Sequence, residues 1–136
     1  MFFVRGSCLP QAEVRLDSCG DSLANDSAKA GSGGPGYNIT AELSDKKHEK
    51  GTLSMARMGF SHDTAGSQFF LMHEKTTSLD GEYTAFGDVY EGIDVVDAIA
   101  GTKSERGSGA VAPGDRPKIV SMKVVPATAD VYGIKK

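Results

Sequence analysis

The chain has 136 residues, of which 39% are hydrophobic and 24% charged, a composition typical of one soluble globular domain rather than of a disordered chain. The formal net charge is -3 and the 15 Lys and Arg residues are scattered, so a nucleic-acid partner is not expected. The apolar start at 1–4 is interrupted by Arg5 and Gly6, which makes it too short for a signal segment or a membrane span. The expected location is therefore the cytoplasm, with no membrane partner.

The first part of the chain is predicted to contain loops and few regular elements. Residues 1–30 show neither a clear helical nor a clear strand periodicity of apolar residues. The run GSGGPG at 31–36 predicts a loop in which several glycines need a positive φ, and a short strand is expected over 37–43. The polar stretch 44–50 is interpreted as a solvated loop or turn.

The middle of the chain predicts short strands joined by turns. Two apolar runs, 52–57 and 67–73, are expected to form buried strands, because glycines and turn-forming residues separate them. A further strand is expected over 83–90, with Gly87 as a bulge.

The last part predicts one short helix and a closing strand. The helix is expected over 93–99, with three apolar side chains on one face: Val95, Val96 and Ile99. The closing strand is expected over 118–125, with apolar side chains on one side: Val120, Met122 and Val124. Many short strands with one or two helices predict a mainly β fold, an antiparallel barrel or sandwich.

Common catalytic and metal-binding patterns are not found. The glycine run at 31–36 follows no predicted strand, opens no helix and contains Pro35, which argues against a phosphate-binding loop. Ser54 and Ser67 lack the context of a nucleophile, and Cys8 and Cys19 are interpreted as free thiols of a reducing compartment or as incidental residues. The histidines are not spaced as metal ligands and are expected at the surface: His48, His62 and His73. No metal and no cofactor are therefore predicted.

Three blocks in the order GTLSMAR, GSQFF and LDGEYTAFG lie between residues 51 and 87. Together with the flanking segments GSGGPGYNITAEL and EGIDVVDAIA, they resemble the cyclophilin family of peptidyl-prolyl cis-trans isomerases. The resemblance covers residue 20 to about residue 125. Gly20 and Asp21 match the end of the family's QGGD segment. It implies a cyclophilin-like antiparallel β-barrel and proline-containing peptides or unfolded proteins as partners.

The implied reaction is rotation about an X-Pro bond, which faces a barrier of about 18–20 kcal/mol because the amide is conjugated. A catalyst can bury the proline ring in an apolar pocket and offer a hydrogen-bond donor to the prolyl nitrogen, which becomes more basic as the bond twists. Such a mechanism requires no covalent step, metal or cofactor.

The resemblance assigns a substrate-binding role to six residues. Phe70 and Leu79 would form the walls of the proline pocket, and Tyr83 would stand at its rim, where many relatives have His. The remaining residues would contact the substrate strand, two through backbone groups and one through its side-chain amide: Ala56, Arg57 and Gln68. Pattern alone equally allows Phe69 and Phe70 to be plain core residues on alternate faces of a strand.

Ser78 stands where animal relatives often carry Trp, a position associated with cyclosporin binding. Tight binding of cyclosporin is therefore not expected.

The resemblance weakens toward the N-terminus. Alignment on Gly20 and Asp21 places Arg15, Leu16 and Ser18 where the family has Phe, Met and Gln, and the family's catalytic Arg finds no counterpart. No catalytic residue is assigned. The expected organisation is an unmatched segment 1–19, a partial isomerase domain 20–125 and a tail 126–136. The barrel is expected to be incomplete at its N-terminus, with an apolar face open to water and weak cooperativity of unfolding.

Isomerase activity at X-Pro bonds is the leading functional hypothesis. A non-catalytic module that binds proline-containing peptides and an inactive fragment remain the alternatives.

Overall fold

The structure is a computed structural model that describes residues 15–23, 29, 31–101 and 119–124, with the side chains of 15–19 excepted. Its four strands are β1 (Arg15–Cys19), β2 (Thr52–Met55), β3 (Phe69–Met72) and β4 (Ala85–Asp88). They form one antiparallel sheet in the order β1-β3-β2-β4. One helix, α1 (Ile93–Ala100), and two 3-10 turns, His62–Thr64 and Thr77–Leu79, complete the regular structure of the described residues. The mainly β prediction is confirmed.

The centre of the sheet is the pair β2 and β3, which lie at the two predicted buried strands. Their register places Leu53 opposite Leu71 and Ser54 opposite Phe70. Because successive side chains of a strand point to opposite faces, β3 contributes to two separate apolar clusters. One cluster contains Phe70, and the other contains Leu71.

Strand β4 carries the predicted irregularity. Leu53 pairs with Gly87 while Ser54 pairs with Ala85, so Phe86 is an additional residue on β4. The bulge therefore lies beside Gly87, the residue at which the sequence predicts it.

Helix α1 begins after Gly92, which has a left-handed φ of 92°. Val96 is buried against Leu71, with Ile93 and Ile99 packed around this pair. The predicted apolar face is wrong at Val95, which is 56% exposed, because one residue turns the side chain by about 100° around a helix.

The strand predicted over 37–43 is not formed. Among the described residues, this segment makes an isolated β-bridge between Ile39 and Ala65 in place of a strand. The next backbone N–H groups donate to side chains instead, Ala41 to the Asp63 carboxylate at 2.8 Å and Glu42 to the Thr84 hydroxyl at 3.1 Å. Side-chain acceptors thus replace the strand ladder here.

The predicted closing strand, 118–125, is described only over 119–124, and these residues form no strand. Ile119 packs against the cluster around Leu71, whereas Val120 and Val124 are 87% and 94% exposed. The described part therefore carries the exposed apolar side chains that the sequence predicts, without the ladder.

Strand β1 lies in the segment for which the sequence predicts no element. Its backbone pairs with β3, Arg15 opposite Met72 and Leu16 opposite Leu71. The polar sequence RLDSC has no clear alternation, so its pairing depends on the partner strand and not on a local pattern. Residues 1–14 and the predicted tail 126–136 lie outside the described residues.

Among the described helices, none is long and apolar enough to cross a bilayer.

Candidate functional site

The candidate site is built on the face of β3 that carries Phe70. Phe70 and Leu79 are 5% and 2% exposed and pack with Met72. Ala56 and Tyr83 are partly buried against this group. The Phe70 and Tyr83 rings meet edge to face, with centroids 5.6 Å apart and planes at 84°. The structure thus brings together the predicted pocket walls, Phe70 and Leu79, and the predicted rim, Tyr83.

A tight turn delivers Leu79 and Tyr83 to this face. The 3-10 turn Thr77–Leu79 ends in two backbone hydrogen bonds, Asp80 N–H to Thr77 O at 3.2 Å and Glu82 N–H to Leu79 O at 3.1 Å. Gly81 has a φ of 73°, a conformation that other residues seldom adopt. The LDGEY segment therefore reverses direction and places both apolar side chains against β3.

Ala56 lies at the end of β2, where its backbone N–H donates to the carbonyl of Gln68 at 2.9 Å. This bond continues the β2–β3 pairing beyond Met55 and occupies the donor of Ala56.

The side chain of Arg57 is held from several directions. Its Nε donates to the carbonyl of Glu82 at 2.9 Å, Nη1 to the carbonyl of Met58 at 3.1 Å, and Nη2 to the Glu82 carboxylate at 3.2 Å. The guanidinium carbon lies 4.5 Å from the centroid of the Tyr83 ring. The Arg57 side chain is only 11% exposed, and its contact with the ring and its hydrogen bonds to Glu82 hold Tyr83 in position.

Glu82 links Arg57 to a histidine at the surface. Nε2 of His62 lies 3.0 Å from Oε2 of Glu82, and His62 is 45% exposed, as the sequence predicts. The hydrogen bond and charge of His62, with a smaller contribution from Arg57, hold the pKa of Glu82 below its usual 4.5.

Gln68 holds the glycine-rich loop. Its side-chain Nε2 donates to the carbonyls of Gly31 at 3.1 Å and Gly33 at 2.6 Å. The N–H groups of the same two glycines donate to the buried Asp21 carboxylate at 2.7 and 2.9 Å. A Cβ at Gly33 would collide with this carboxylate, and Gly31 and Gly36 have the expected positive φ.

His48 contradicts the prediction of a surface histidine, because it is 1% exposed. Its Nε2 lies 2.9 Å from Oγ of Ser54, and its Nδ1 lies 3.3 Å from Oδ1 of Asp80. Oγ of Ser54 also lies 3.0 Å from the carbonyl of Thr84, and the tautomer of the His48 ring decides which atom donates in the bond between Nε2 and Oγ.

The Asp80 carboxylate is held by His48. It accepts the backbone N–H of His48 at 2.8 Å, which is the main reason that the pKa of Asp80 lies below its usual 3.8. The His48 ring and Lys47 act in the same direction, while partial burial opposes them. The sequence gives no local sign of this arrangement, because Asp80 lies 32 residues after His48.

The Asp80–His48–Ser54 arrangement resembles the order of groups in a hydrolase triad, but its chemistry differs. Ser54 is 0% exposed, so its hydroxyl cannot act as an exposed nucleophile.

Contacts of His73 and Lys50 with Asp97 connect α1 to residues next to the sheet. Nε2 of His73 and Nζ of Lys50 lie 3.1 and 2.8 Å from Oδ1 of Asp97. The hydrogen bond from Lys50 is the main cause that lowers the pKa of Asp97 from its usual 3.8.

In the part of the chain that the structure describes, no cluster of His, Cys, Asp and Glu could hold a metal ion.

Residues 8–124 match the family model described as cyclophilin type peptidyl-prolyl cis-trans isomerase. Peptidyl-prolyl cis-trans isomerases with similar sequences occur in several bacteria. The Synechococcus elongatus protein is 54% identical over 57 residues, which are 42% of this chain and 38% of that protein. Isomerase B of Bacillus subtilis is 48% identical over 66 residues, 47% of this chain and 45% of that protein. The matched stretch therefore spans less than half of these relatives.

Solved structures with a similar fold include a cyclophilin type isomerase from Cryptosporidium parvum. It superposes with a TM-score of 0.67 at 24% sequence identity, covering 82% of this chain and 67% of that chain. A second structure of that protein, determined in the presence of the dipeptide Ala-Pro, gives a TM-score of 0.66 at 23% identity, covering 81% and 67%. At these identities the likeness concerns the fold.

Proposed function

The chain belongs to the cyclophilin-type peptidyl-prolyl cis-trans isomerase family, and from that premise we propose that it binds proline-containing peptides and accelerates rotation about their X-Pro bonds. The observation that carries this proposal is the assembly of Phe70, Leu79 and Tyr83 on one face of the sheet. These residues come from β3 and from the segment 77–83, and their packing side by side is the arrangement that the proposed pocket requires.

The chemistry suits this apolar cluster. The planar X-Pro amide is stabilised by charge separation, which is lost as the bond twists, so a dry apolar wall favours the twisted state over the planar one. Phe70 and Leu79 would supply that wall, and the edge of Tyr83 would limit the position of the proline ring. The gain comes from binding the twisted state better than the ground state.

Three further residues would hold the peptide or the elements around it. We propose that Ala56 and Arg57 border the peptide with their backbone, while the Arg57 side chain fixes Tyr83. Gln68 would hydrogen-bond the peptide, as the family resemblance implies, while its Nε2 holds the glycine-rich loop. The donor to the prolyl nitrogen is not assigned; Nε and both Nη atoms of Arg57 make hydrogen bonds within the protein.

The ligand class follows from the proline pocket. The Cryptosporidium structure was determined in the presence of Ala-Pro, and we propose that this dipeptide unit also fits here. We further propose weak cyclosporin binding, because residue 78 is a Ser. A cytoplasmic location and the absence of nucleic-acid and membrane partners stay predictions.

A protease-coupled assay on an Ala-Pro peptide tests the proposal. The chain should accelerate the slow phase that follows cleavage of the trans peptide, and Phe70→Ala should abolish the acceleration. Phe86→Ala is the matched control, because Phe86 is 52% exposed on β4. Failure of the folded chain to accelerate the slow phase would refute isomerase activity. Equal losses in both variants would refute the placement of the pocket.

A further inference from the structure

We infer that His48 is a positioning residue of the proline pocket, which holds the Phe70 ring, the Tyr83 ring and the turn that carries Leu79 in one fixed arrangement. This inference rests on the proposed function, since it deepens the account of the same pocket.

The His48 ring contacts both aromatic walls. It stacks on Phe70 with centroids 6.3 Å apart and planes at 19°, and it meets Tyr83 edge-on with centroids 6.5 Å apart and planes at 78°. Phe70 and Tyr83 also contact each other, at 5.6 Å. The three rings therefore form a closed triangle, in which a shift of one displaces the others.

Hydrogen bonds fix the plane of the His48 ring at both nitrogens. Nε2 is hydrogen-bonded to Oγ of Ser54 on β2 at 2.9 Å, and Nδ1 to the Asp80 carboxylate at 3.3 Å. An aliphatic side chain of similar size would fill the same space but could rotate. Because stacking on Phe70 depends on the plane of the His48 ring, the hydrogen bond to Ser54 of β2 also fixes the orientation of His48 against Phe70.

The backbone of His48 holds the turn that carries Leu79. Its N–H donates to the Asp80 carboxylate at 2.8 Å, and its carbonyl accepts the N–H of Thr76 at 2.9 Å. Thr76 and Asp80 flank the 3-10 turn Thr77–Leu79. Residue 48 thus contacts both ends of this turn and, through its ring, the two aromatic residues beside it.

His48 acts through other residues and not on the substrate. With 1% of its surface exposed, it lies beneath Phe70 and Tyr83, out of reach of a peptide bound above them. Its contribution is the geometry of the pocket, and displacement of a positioned group by about 1 Å can cost up to about a hundredfold in rate.

Three variants test the inference. His48→Phe keeps a ring and loses both side-chain hydrogen bonds, whereas His48→Gln keeps a donor that reaches Ser54. His48→Ala removes both features. His73→Gln is the matched control, because His73 is a partly buried histidine that pairs with Asp97, outside the pocket. All are compared well below their unfolding midpoints, where the folded fraction is nearly complete.

The measurements are the dissociation constant of an Ala-Pro dipeptide and the contacts among the aromatic rings by nuclear Overhauser effects. We expect His48→Ala to weaken binding by about tenfold or more and to abolish the Phe70–Tyr83 contacts. His48→Phe should weaken binding less, His48→Gln should recover part of the loss, and the control should bind as the wild type does. Unchanged affinity and ring contacts in folded His48→Ala would overturn the inference.

Spectra of the wild type test the inference even if none of the variants folds. Contacts of the His48 ring with both Phe70 and Tyr83, and a hydrogen-bonded ring N–H of His48, are required; absence of either would overturn the inference. These measurements do not involve turnover. A chain with the ring contacts but no isomerase activity would refute the proposed function, while dipeptide affinity that is insensitive to residue 48 would refute this inference alone.

Discussion

The two faces of β3 are built differently. On one face, Phe70 and Met72 pack with Leu79, and a buried histidine hydrogen-bonds beneath them. On the other face, Leu71 packs against Val96 of α1 and is surrounded mainly by aliphatic side chains. The face beneath the candidate site contains polar groups with fixed directions, while the face beneath the helix depends mainly on the volume of its side chains.

This difference indicates a division of tasks within one strand. Aliphatic contacts have no preferred direction, and cores of this kind tolerate exchanges that conserve volume. Aromatic stacking and hydrogen bonds fix orientation as well as distance, which a binding pocket requires. The helix face therefore contributes stability, and the site face contributes stability and would also set the shape of the proposed pocket.

The largest expected effect is that of truncating adjacent residues on opposite faces. Phe70→Ala and Leu71→Ala should destabilise the fold by about 3–5 and about 2–5 kcal/mol, because each leaves a buried cavity. Both side chains are buried, at 5% and 7% exposure, so their stability losses should be similar. Urea unfolding monitored by circular dichroism measures these losses.

Dipeptide affinity should separate the two variants. Measured at a temperature where each is folded, Phe70→Ala should show no saturable Ala-Pro binding, whereas Leu71→Ala should bind almost as the wild type does. Equal loss of affinity in both would show that the two faces are not separate in function.

A smaller effect is expected at Arg57, which supports the site face from its rim. Arg57→Lys keeps the charge but loses the planar group that donates to Met58 and Glu82 while lying over Tyr83. A cation–π contact contributes about 0.5–2 kcal/mol, so Ala-Pro affinity should fall severalfold. Calorimetric titration measures this loss. Lys50→Arg, at a cation paired with α1, is the control and should leave the affinity unchanged.

Acid should produce the smallest effect and act on both faces. The pKa values of Asp80 and Glu82 on the site side and of Asp97 on the helix side all lie below their usual values. A carboxyl with a lowered folded pKa stabilises the fold above its unfolded pKa, and this contribution is lost as the pH falls through the folded value. Stability should therefore begin to decline as the pH falls toward the usual values of 4.5 and 3.8, and the decline should continue below them.

Asn variants assign this acid response to each face. Asp97→Asn should lower the stability at neutral pH and reduce its decline in acid, and dipeptide affinity should stay unchanged. Asp80→Asn should reduce the decline and also weaken dipeptide binding. A decline of full size in both variants would place the acid-sensitive groups elsewhere.

The sequence predicts the parts of the fold that depend on local patterns. The runs that become β2, β3 and α1 contain enough apolar residues in the right period to be recognised, and the ordered blocks from GTLSMAR to LDGEYTAFG locate Phe70, Leu79 and Tyr83. A short strand at 37–43 is predicted for the same reason, but side-chain acceptors capture its backbone donors.

The missed features depend on contacts between distant residues. The sequence predicts His48 at the surface because the histidines are not spaced as metal ligands, and only the fold brings Ser54 and Asp80 to its ring. The loop-holding role of Gln68 likewise requires carbonyl groups that lie 35 and 37 residues earlier. Polar groups with partners far along the chain leave no periodic signal.

The bulge on β4 has a consequence for the behaviour of the protein at high concentration. In the described sheet β4 is an outer strand, and its residue Phe86 is 52% exposed. A regular outer strand with an exposed aromatic side chain would offer a template on which a second molecule could add a strand. The additional residue interrupts the spacing of donors and acceptors along β4, so a straight strand cannot pair in register. An irregularity inside one molecule thereby opposes self-association between molecules.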